Sequence, residues 1–411
     1  MGSSMSGFCF RLPGSAGAAA VFAVVTWLGT TSPAWADLVK GPHLQDLRTD
    51  GVTIVWEQQS SGAGTVSISG SDYTSSASGL LQEVRITGLS PATTYDYTLQ
   101  TDGVTASGSF ATAPSEPLSS IRFVVMGDNR TDPVAHESVV SAVLAEGPVD
   151  FVLNTGDMVA SGEVAADWQQ FFDVEQPLIQ NTAWYPLIGN HEEDGGDLPH
   201  FYTDYLAPPT DTSGLEGYYS FAYANSAFVV LDGHVNTVDV LFGLWRNFDD
   251  TQRAWLDTVL GQYQADPAVQ HIFVLNHEPP YSSSPGRSGM HALRLLLPMF
   301  ESYGVDALFS GHDHYLERGE SPKAIPYFIM GGGGAPLYDN SSEGNLGFKA
   351  AMAIPWLDDA HTVHFARKAY GYLLVDVCNG QVDTTVKDTS GNVLDTFGWN
   401  TGDVAPGGCD G

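Results

Sequence analysis

Short runs of apolar residues, each followed at once by polar or charged residues, recur from residue 121 onward. The runs are rich in Val, Ile, Leu and Phe, as buried parallel strands are. They predict strands at 121–126, 151–153, 184–188, 271–275 and 307–309. Helical patterns lie between these strands, at 134–144, 166–172, 249–260 and 292–303. Strands that alternate with helices predict a layered α/β domain over residues 121–400.

The first part of the chain has a different pattern, in which short β-rich runs alternate with turns. Strands are predicted there at 51–57, 65–69, 82–87, 94–100 and 104–110. This spacing favours an all-β sandwich over residues 38–112. Residues 113–120, which include Pro114 and Pro117, are predicted to form a linker. Closing strands are predicted at 372–377, 381–387 and 393–397, and residues 401–411 as a flexible tail. Residues 199–206 are interpreted as a loop over the site.

Five polar clusters follow the five strands predicted first. They are Gly127-Asp128-Asn129-Arg130, Gly156-Asp157, Gly189-Asn190-His191-Glu192, Asn276-His277-Glu278 and Gly311-His312-Asp313-His314. Open α/β sheets bind ligands at the carboxyl ends of their strands, so clusters far apart in sequence are expected to converge on one crevice. A single Gly-Asp pair, or one His at a strand end, is more often structural. Five such clusters, each after its own strand, favour a functional site.

The chemistry of these clusters predicts metal ions. Carboxylates, an amide oxygen and imidazoles without a thiolate suit Zn, Mn, Fe or Co better than Cu(I) or an iron–sulfur cluster. Two metal ions held about 3.5–4 Å apart clamp the attacking and leaving oxygens of a displacement at phosphorus. Such a pair needs a bridging carboxylate to offset the mutual repulsion of the ions. We expect Asp157 to be that bridge.

The order of these motifs, followed by Tyr315-Leu316-Glu317-Arg318, resembles the calcineurin-like metallophosphoesterases, and in particular the purple acid phosphatase branch. The segment at 86–97 resembles a corner of a fibronectin type III-like domain. The resemblance implies an N-terminal fibronectin III-like β-sandwich followed by an α/β metallophosphoesterase domain. In that second domain, a β-sandwich core flanked by helices carries a dinuclear metal centre.

The resemblance also implies roles for individual residues. One metal ion would be held by Asp128, Asp157 and His314, and the other by Asn190, His277 and His312, with Asp157 shared. His191 would face the substrate as a catalytic residue, where it stabilises the transition state or protonates the leaving group.

Two positions depart from the family pattern. Purple acid phosphatases have a Tyr three residues after the bridging Asp, and this chain has Ala160 there, so we expect no purple colour. Many other metallophosphoesterases have a His ligand two residues after the first Asp, where this chain has Arg130, which does not lose its proton to bind a metal. Arg130 either contacts the phosphoryl oxygens or pairs with a nearby carboxylate.

Two further residues are candidate substrate contacts. Asn129 donates to phosphate or shapes its loop, and His291 follows a loop that lines the pocket in relatives. His136, in the first turn of the helix at 134–144, is interpreted as exposed rather than as a substrate contact.

Composition restricts the setting. With 48 acidic and 16 basic residues the net charge is −32, which argues against nucleic-acid binding by bulk electrostatics. Residues 1–36 have the features of a secretory signal: Arg11, an apolar stretch at 16–28 and Ala34-Trp35-Ala36 as a cleavage site. Cleavage near Ala36 is favoured over an uncleaved anchor. No later segment has the length of a membrane span. Cys378 and Cys409 of the mature chain are expected to form a disulfide.

The sequence therefore predicts a secreted or periplasmic enzyme that hydrolyses small phosphate monoesters, with two divalent or trivalent ions (Fe, Zn, Mn or Co) that supply a metal-bound hydroxide. The alternatives are a phosphodiesterase acting on nucleotides or phospholipid headgroups, and a cell-envelope binding protein without catalysis. The complete set of six ligand positions counts against the last.

Overall fold

The computed structural model describes residues 38–115, 120–193, 200–210, 212–233, 248–285, 287–338, 347–350, 360–378 and 380–400. The predicted signal (1–36) and tail (401–411) lie outside the described residues. Cys378 is disulfide-bonded. Its predicted partner Cys409 also lies outside the described residues.

The N-terminal region is rich in strands, as predicted, and forms two antiparallel sheets. The strands are β1 (Lys40–Gln45), β2 (Val52–Glu57), β3 (Thr65–Ile68), β4 (Ser71–Thr74), β5 (Leu81–Ile86), β6 (Thr94–Thr101) and β7 (Val104–Ala111). One sheet has the order β1-β2-β5 and the other β4-β3-β6-β7. Apolar residues of both sheets, such as Trp56 and Leu99, lie in one hydrophobic cluster. Alternating apolar positions therefore pack the sheets into one core.

The sequence pattern missed two of these strands. In β1, Gly41 and Pro42 interrupt the apolar pattern, and the pairing with β2 shifts register between Lys40 and His43. β4 is largely exposed, so it has no buried face to produce an alternating pattern.

The rest of the described chain contains two larger mixed sheets. Their strands are β8 (Ile121–Met126), β9 (Phe151–Asn154), β10 (Ala183–Pro186), β11 (Tyr219–Tyr223), β12 (Ser226–Val230), β13 (His271–Leu275), β14 (Ala307–Ser310), β15 (Leu316–Glu320), β16 (Pro326–Met330), β17 (Gly347–Ala350), β18 (Ala360–Arg367), β19 (Gly371–Cys378), β20 (Gln381–Asp388) and β21 (Val393–Asn400). The six-stranded sheet has the order β10-β9-β8-β19-β20-β21, and the eight-stranded sheet β11-β12-β13-β14-β16-β15-β18-β17. In the first, β10, β9 and β8 are parallel; in the second, β12, β13, β14 and β16 are parallel. The parallel strands predicted from the apolar runs are therefore confirmed.

Aromatic side chains join the inner faces of the two sheets. Phe123 of β8 lies with its ring centroid 5.3 Å from that of Phe228 on β12 and 5.9 Å from that of Phe273 on β13. Phe151 of β9 lies 5.2 Å from Phe228. Edge-to-face rings at such distances are a favoured aromatic arrangement and remove large apolar areas from water. The sheets thus form the predicted β-sandwich core.

Helices cover the outer faces of both sheets. They are α1 (Pro133–Ala145), α2 (Ala165–Ile179), α3 (His200–Tyr205), α4 (Asp250–Ala265), α5 (His291–Arg294) and α6 (Leu297–Tyr303) among the described residues. α1 and α2 pack on the six-stranded sheet, and α4, α5 and α6 on the eight-stranded sheet. Asp132 and Asp249 cap α1 and α4, where their carboxylates accept from backbone N–H groups. The fold class predicted from the sequence, a strand-rich N-terminal region followed by an α/β domain, is confirmed.

Some helical predictions were wrong in detail. Residues 199–206, interpreted as a loop, contain α3. The single helix predicted at 292–303 is two helices, because Pro298 has no N–H to continue the helical hydrogen bonding across the junction. His136, interpreted as exposed, is buried, and its Nε2 lies 2.7 Å from Oε1 of Glu175.

No helix in the described part of the chain combines the length and apolar character needed to cross a membrane.

His43 of β1 packs the N-terminal region against helices α2 and α3. The imidazole is fully buried, its Nε2 donates to the carbonyl of Tyr205 at 3.0 Å, and its ring lies 4.9 Å from that of Phe172. Burial disfavours the imidazolium and lowers the pKa of His43 from 6.5 to about 4.

We expect His43 to make the protein sensitive to acid. Because the pKa is lower in the folded chain than in the unfolded one, the unfolded chain takes up the proton first. The free energy of unfolding is therefore unaffected by His43 above pH 6.5 and decreases as the pH falls from 6.5 toward 4. The total decrease is about 3 kcal/mol. Denaturant unfolding at several pH values should show His43→Gln losing less stability over this range than wild type. Equal losses would contradict the assignment.

Candidate metal centre

The loops after five strands bring the six predicted ligands together. Asp128 follows β8, Asp157 follows β9 and Asn190 follows β10 on one sheet, whereas His277 and the His312–His314 pair follow β13 and β14 on the other. The carboxyl ends of the parallel strands in both sheets therefore face one crevice.

One group of predicted ligands, here called the aspartate cluster, consists of Asp128, Asp157 and His314. One ligand atom from each lies within 4.8 Å of the others, and all three side chains are buried. Nε2 of His314 is 3.4 Å from Oδ1 of Asp128. That oxygen is buried and accepts no hydrogen bond from the described residues. A buried carboxylate oxygen without a donor is costly unless a cation binds it, so these residues fit a metal ion.

The second group, here called the histidine cluster, consists of Asn190, His277 and His312. Oδ1 of Asn190 lies 3.2 Å from Nε2 of His277 and 2.9 Å from Nδ1 of His312. The two imidazole nitrogens are 3.3 Å apart. An amide oxygen and two imidazole nitrogens this close together are donor types that suit Zn, Mn, Fe or Co.

Asp157 connects the two clusters. Its Oδ1 lies 3.2 Å from Nε2 of His277, while the same carboxylate belongs to the aspartate cluster. The backbone N–H of His191 donates to this Oδ1 at 3.0 Å. Asp157 therefore has the position that a bridging carboxylate requires.

Hydrogen bonds outside the clusters orient two of the imidazoles. Nδ1 of His277 donates to the carbonyl of Thr155 at 2.7 Å, and Nδ1 of His314 donates to the carbonyl of Pro336 at 2.9 Å. Each bond fixes the ring so that Nε2 faces the crevice. This arrangement is common around metal-binding histidines, because it sets both tautomer and direction.

The backbone of the site is held in an unusual conformation. Asp128, Asp157 and His312 have φ values of 58°, 54° and 67°, in the left-handed region that non-glycine residues rarely adopt. Such conformations persist only where the surrounding structure fixes them, and they concentrate at functional sites. Close glycines help to fix them: a side chain at Gly311 would clash with Oδ2 of Asp128 and with Thr155.

Mutual electrostatics hold the ligands in different protonation states. Burial alone would raise the pKa of Asp157, but the charge and hydrogen bond of His277 outweigh it and hold that pKa below its ordinary value. Burial opposes the charged form of His277, and Asp157 nevertheless raises its pKa to about 10. Burial, together with the charge of His277, lowers the pKa of His312 to about 2. Asp157 and His277 therefore each favour the charged form of the other.

Glu192 supports the site without being a ligand. Its Oε2 accepts from the N–H groups of Asp157 at 2.8 Å and Gly189 at 2.7 Å, and its Oε1 accepts from Val159 at 3.1 Å. Burial, and then the charge of Asp157, raise the pKa of Glu192 to about 7. Sequence reasoning gave Glu192 no role, although it stands in the same motif as Asn190 and His191.

His191 lies at the open side of the clusters. Its side chain is 31% exposed, and Nδ1 donates to the carbonyl of Ala160 at 2.8 Å. Nε2 then faces the crevice, 3.9 Å from Oδ2 of Asp157. Asn190 is exposed and His312 partly so, so this side admits a ligand from solvent.

The predicted substrate contacts lie at different distances from the clusters. Arg130 is in the site: its Nε donates to Oδ2 of Asp157 at 3.3 Å. Asn129 is buried beside it, where its Oδ1 accepts from Asn154. His291 begins α5, and none of the described contacts joins it to the clusters.

Two residues at the site were missed. Arg287 donates from Nη1 to Oδ1 of Asp313 and from Nη2 to the hydroxyl of Tyr338, both at 2.8 Å. The Tyr338 ring stacks on His314 with centroids 4.2 Å apart. Neither residue directly follows a parallel strand, so the signal that found the ligands did not reach them.

Comparison with known proteins shows what this chain is similar to. Residues 121–316 match the calcineurin-like phosphoesterase family. An uncharacterized Mycobacterium tuberculosis protein is 26% identical, over 77% of this chain and 73% of its own length. Probable purple acid phosphatase 20 of Arabidopsis thaliana is 25% identical, over 73% of this chain and 69% of its own length. The structure of a purple acid phosphatase from yellow lupin superposes with a TM-score of 0.66 at 18% identity, over 87% of this chain and 74% of that one.

Proposed function

We propose that this chain, which carries a calcineurin-like phosphoesterase domain over residues 121–316, is a two-metal phosphatase that hydrolyses phosphate monoesters. The related proteins indicate a metal-dependent phosphoester hydrolase. The proposal for two ions rests on one observation: the buried carboxylate of Asp157 belongs to the aspartate cluster and contacts the histidine cluster.

The two clusters would hold the ions, which supply activation of the attacking water and neutralise phosphoryl charge. The protein supplies orientation and protons. Arg130 is placed to donate to phosphoryl oxygens, since a guanidinium offers five N–H donors in one plane. His191, whose Nδ1–H is held by the carbonyl of Ala160, presents Nε2 to the open side. When protonated there, it gives that proton to the departing alkoxide, and hydrolysis yields the free alcohol and phosphate.

The N-terminal region is proposed to be fibronectin III-like. Its three-stranded and four-stranded antiparallel sheets share one apolar core, as in fibronectin-type sandwiches. It packs against the phosphoesterase region: Nε2 of Gln176 on α2 donates to the carbonyl of Pro42 at 2.9 Å, and the hydroxyl of Tyr97 donates to the carbonyl of Gln180 at 2.8 Å. We infer that it is a spacer that steadies α2 and the loop after it.

Export of the chain is also proposed, from the signal-like residues 1–36. N-terminal sequencing of protein recovered outside the cytoplasm should begin near Asp37. An exported protein that retains its first residues would contradict cleavage, and exclusive retention in the cytoplasm would contradict export.

Metal content tests the shared carboxylate. With saturating Zn, Mn, Fe or Co, we expect about two ions per chain, and chelation should abolish hydrolysis. Asp157→Asn should lose both ions, because it weakens both clusters, whereas Asn190→Ala should lose chiefly one. Elemental analysis of the purified variants measures this. One ion or none in saturated wild type would refute the dinuclear centre.

Substrate class is tested with matched aryl esters. We expect higher kcat/KM for monoesters than for diesters, because the guanidinium of Arg130 attracts the dianion of a monoester more strongly than the monoanion of a diester. His191→Ala should slow hydrolysis by about 100-fold, most for esters with poor leaving groups, because those need the proton. A tenfold preference for diesters would favour the phosphodiesterase alternative. Full activity in His191→Ala would remove that residue from the mechanism.

A further inference from the structure

The guanidinium of Arg130 bonds the ligand atoms of the aspartate cluster. Its Nε donates to Oδ2 of Asp157 at 3.3 Å, and its Nη2 lies 3.2 Å from Nε2 of His314. Because Nδ1 of His314 donates to Pro336, Nε2 carries the lone pair that accepts from Arg130. Arg130 therefore engages two of the three ligands in this cluster.

A metal ion in the aspartate cluster needs those same lone pairs. The guanidinium is always charged, so it competes with the ion for the ligand atoms and also repels it. The side chain of Arg130 is only 16% exposed, so solvent screens this repulsion weakly. The described contacts of Arg130 include none of the histidine cluster. Arg130 therefore competes for two ligand atoms of the aspartate cluster, whereas the histidine cluster is affected only through the shared carboxylate of Asp157.

The structure has room beside Arg130 for a second position of its side chain. A cavity of about 220 Å³ beside it is lined by Arg130, Thr131, Ala160, Asp167 and neighbouring residues. The small side chain of Ala160 and the carboxylate of Asp167 give the guanidinium both room and a counter-charge. A phosphoryl group at the crevice would be a further charged acceptor for its N–H groups.

We propose that Arg130 couples the binding of phosphate to the binding of the metal ion in the aspartate cluster. Without phosphate, Arg130 occupies the ligand atoms and the ion binds weakly. Phosphate draws the guanidinium away, so the ion binds more tightly, and by reciprocity the ion strengthens phosphate binding. The inference rests on the proposed function, since it requires ions in both clusters.

The test compares wild type with Arg130→Met, which removes the competing donors but keeps an extended side chain. Equilibrium dialysis against buffered Mn²⁺, with and without inorganic phosphate, measures the affinity of each ion. The second ion is the more weakly bound one, which the proposal assigns to the aspartate cluster. Without phosphate, we expect Arg130→Met to bind this second ion about tenfold more tightly than wild type. With phosphate the two proteins should converge, because phosphate has by then released Arg130 in wild type.

Arg287→Met is the matched control. It removes an equal charge from the same site, but the described hydrogen bonds of Arg287 go to Asp313 and Tyr338 and none goes to an atom of a proposed ligand. It should respond to phosphate as wild type does. If both arginine variants tighten the second ion equally, the effect is one of general charge and the inference is wrong. Arg130→Leu, which also lacks a hydrogen-bond donor and carries the same expectation, replaces Arg130→Met should the methionine variant not fold.

Two negative outcomes are distinguishable. If wild type and Arg130→Met both bind two ions, but with equal affinity in the absence of phosphate, only the coupling is overturned. If neither binds a second ion at saturation, the two-metal function fails, and the coupling fails with it.

Discussion

The buried pair of aspartates, Asp128 and Asp157, is the constraint on which the rest of the site depends. Both side chains are almost fully excluded from water. In such a buried environment a charged carboxylate is stable only beside positive charge. His277 and Arg130 supply part of that charge. The remaining ligand atoms, including a buried oxygen of Asp128 without a donor among the described residues, explain why the fold suits metal ions.

Positioning these carboxylates requires contributions from both sheets and several supporting groups. The aromatic packing of Phe123 and Phe151 against the opposite sheet sets where the strand ends lie. Left-handed backbone at Asp128 and Asp157 turns the chain sharply after each strand, and Glu192 holds the Asp157 turn through its backbone N–H. Several weak constraints therefore combine to hold a geometry that no single residue would maintain.

The sequence predicted the buried parallel strands that carry the candidate site, because such strands are continuous apolar runs with polar residues at their ends. The bounds of β8 and β13 agree with the predicted strands at 121–126 and 271–275. The sequence did not predict residues that lie in loops and do not directly follow an apolar strand. The contacts of Arg287 and Tyr338 depend on how distant loops fold back, and the αL backbone of Asp128 has no signature in local composition.

The most direct test of the shared-carboxylate centre is the anomalous diffraction of crystals grown with saturating Mn²⁺ and inorganic phosphate. We expect two anomalous peaks about 3.5–4 Å apart, one among Asp128, Asp157 and His314 and the other among Asn190, His277 and His312, with the Asp157 carboxylate between them. A single peak, or two peaks that Asp157 does not bridge, would contradict it.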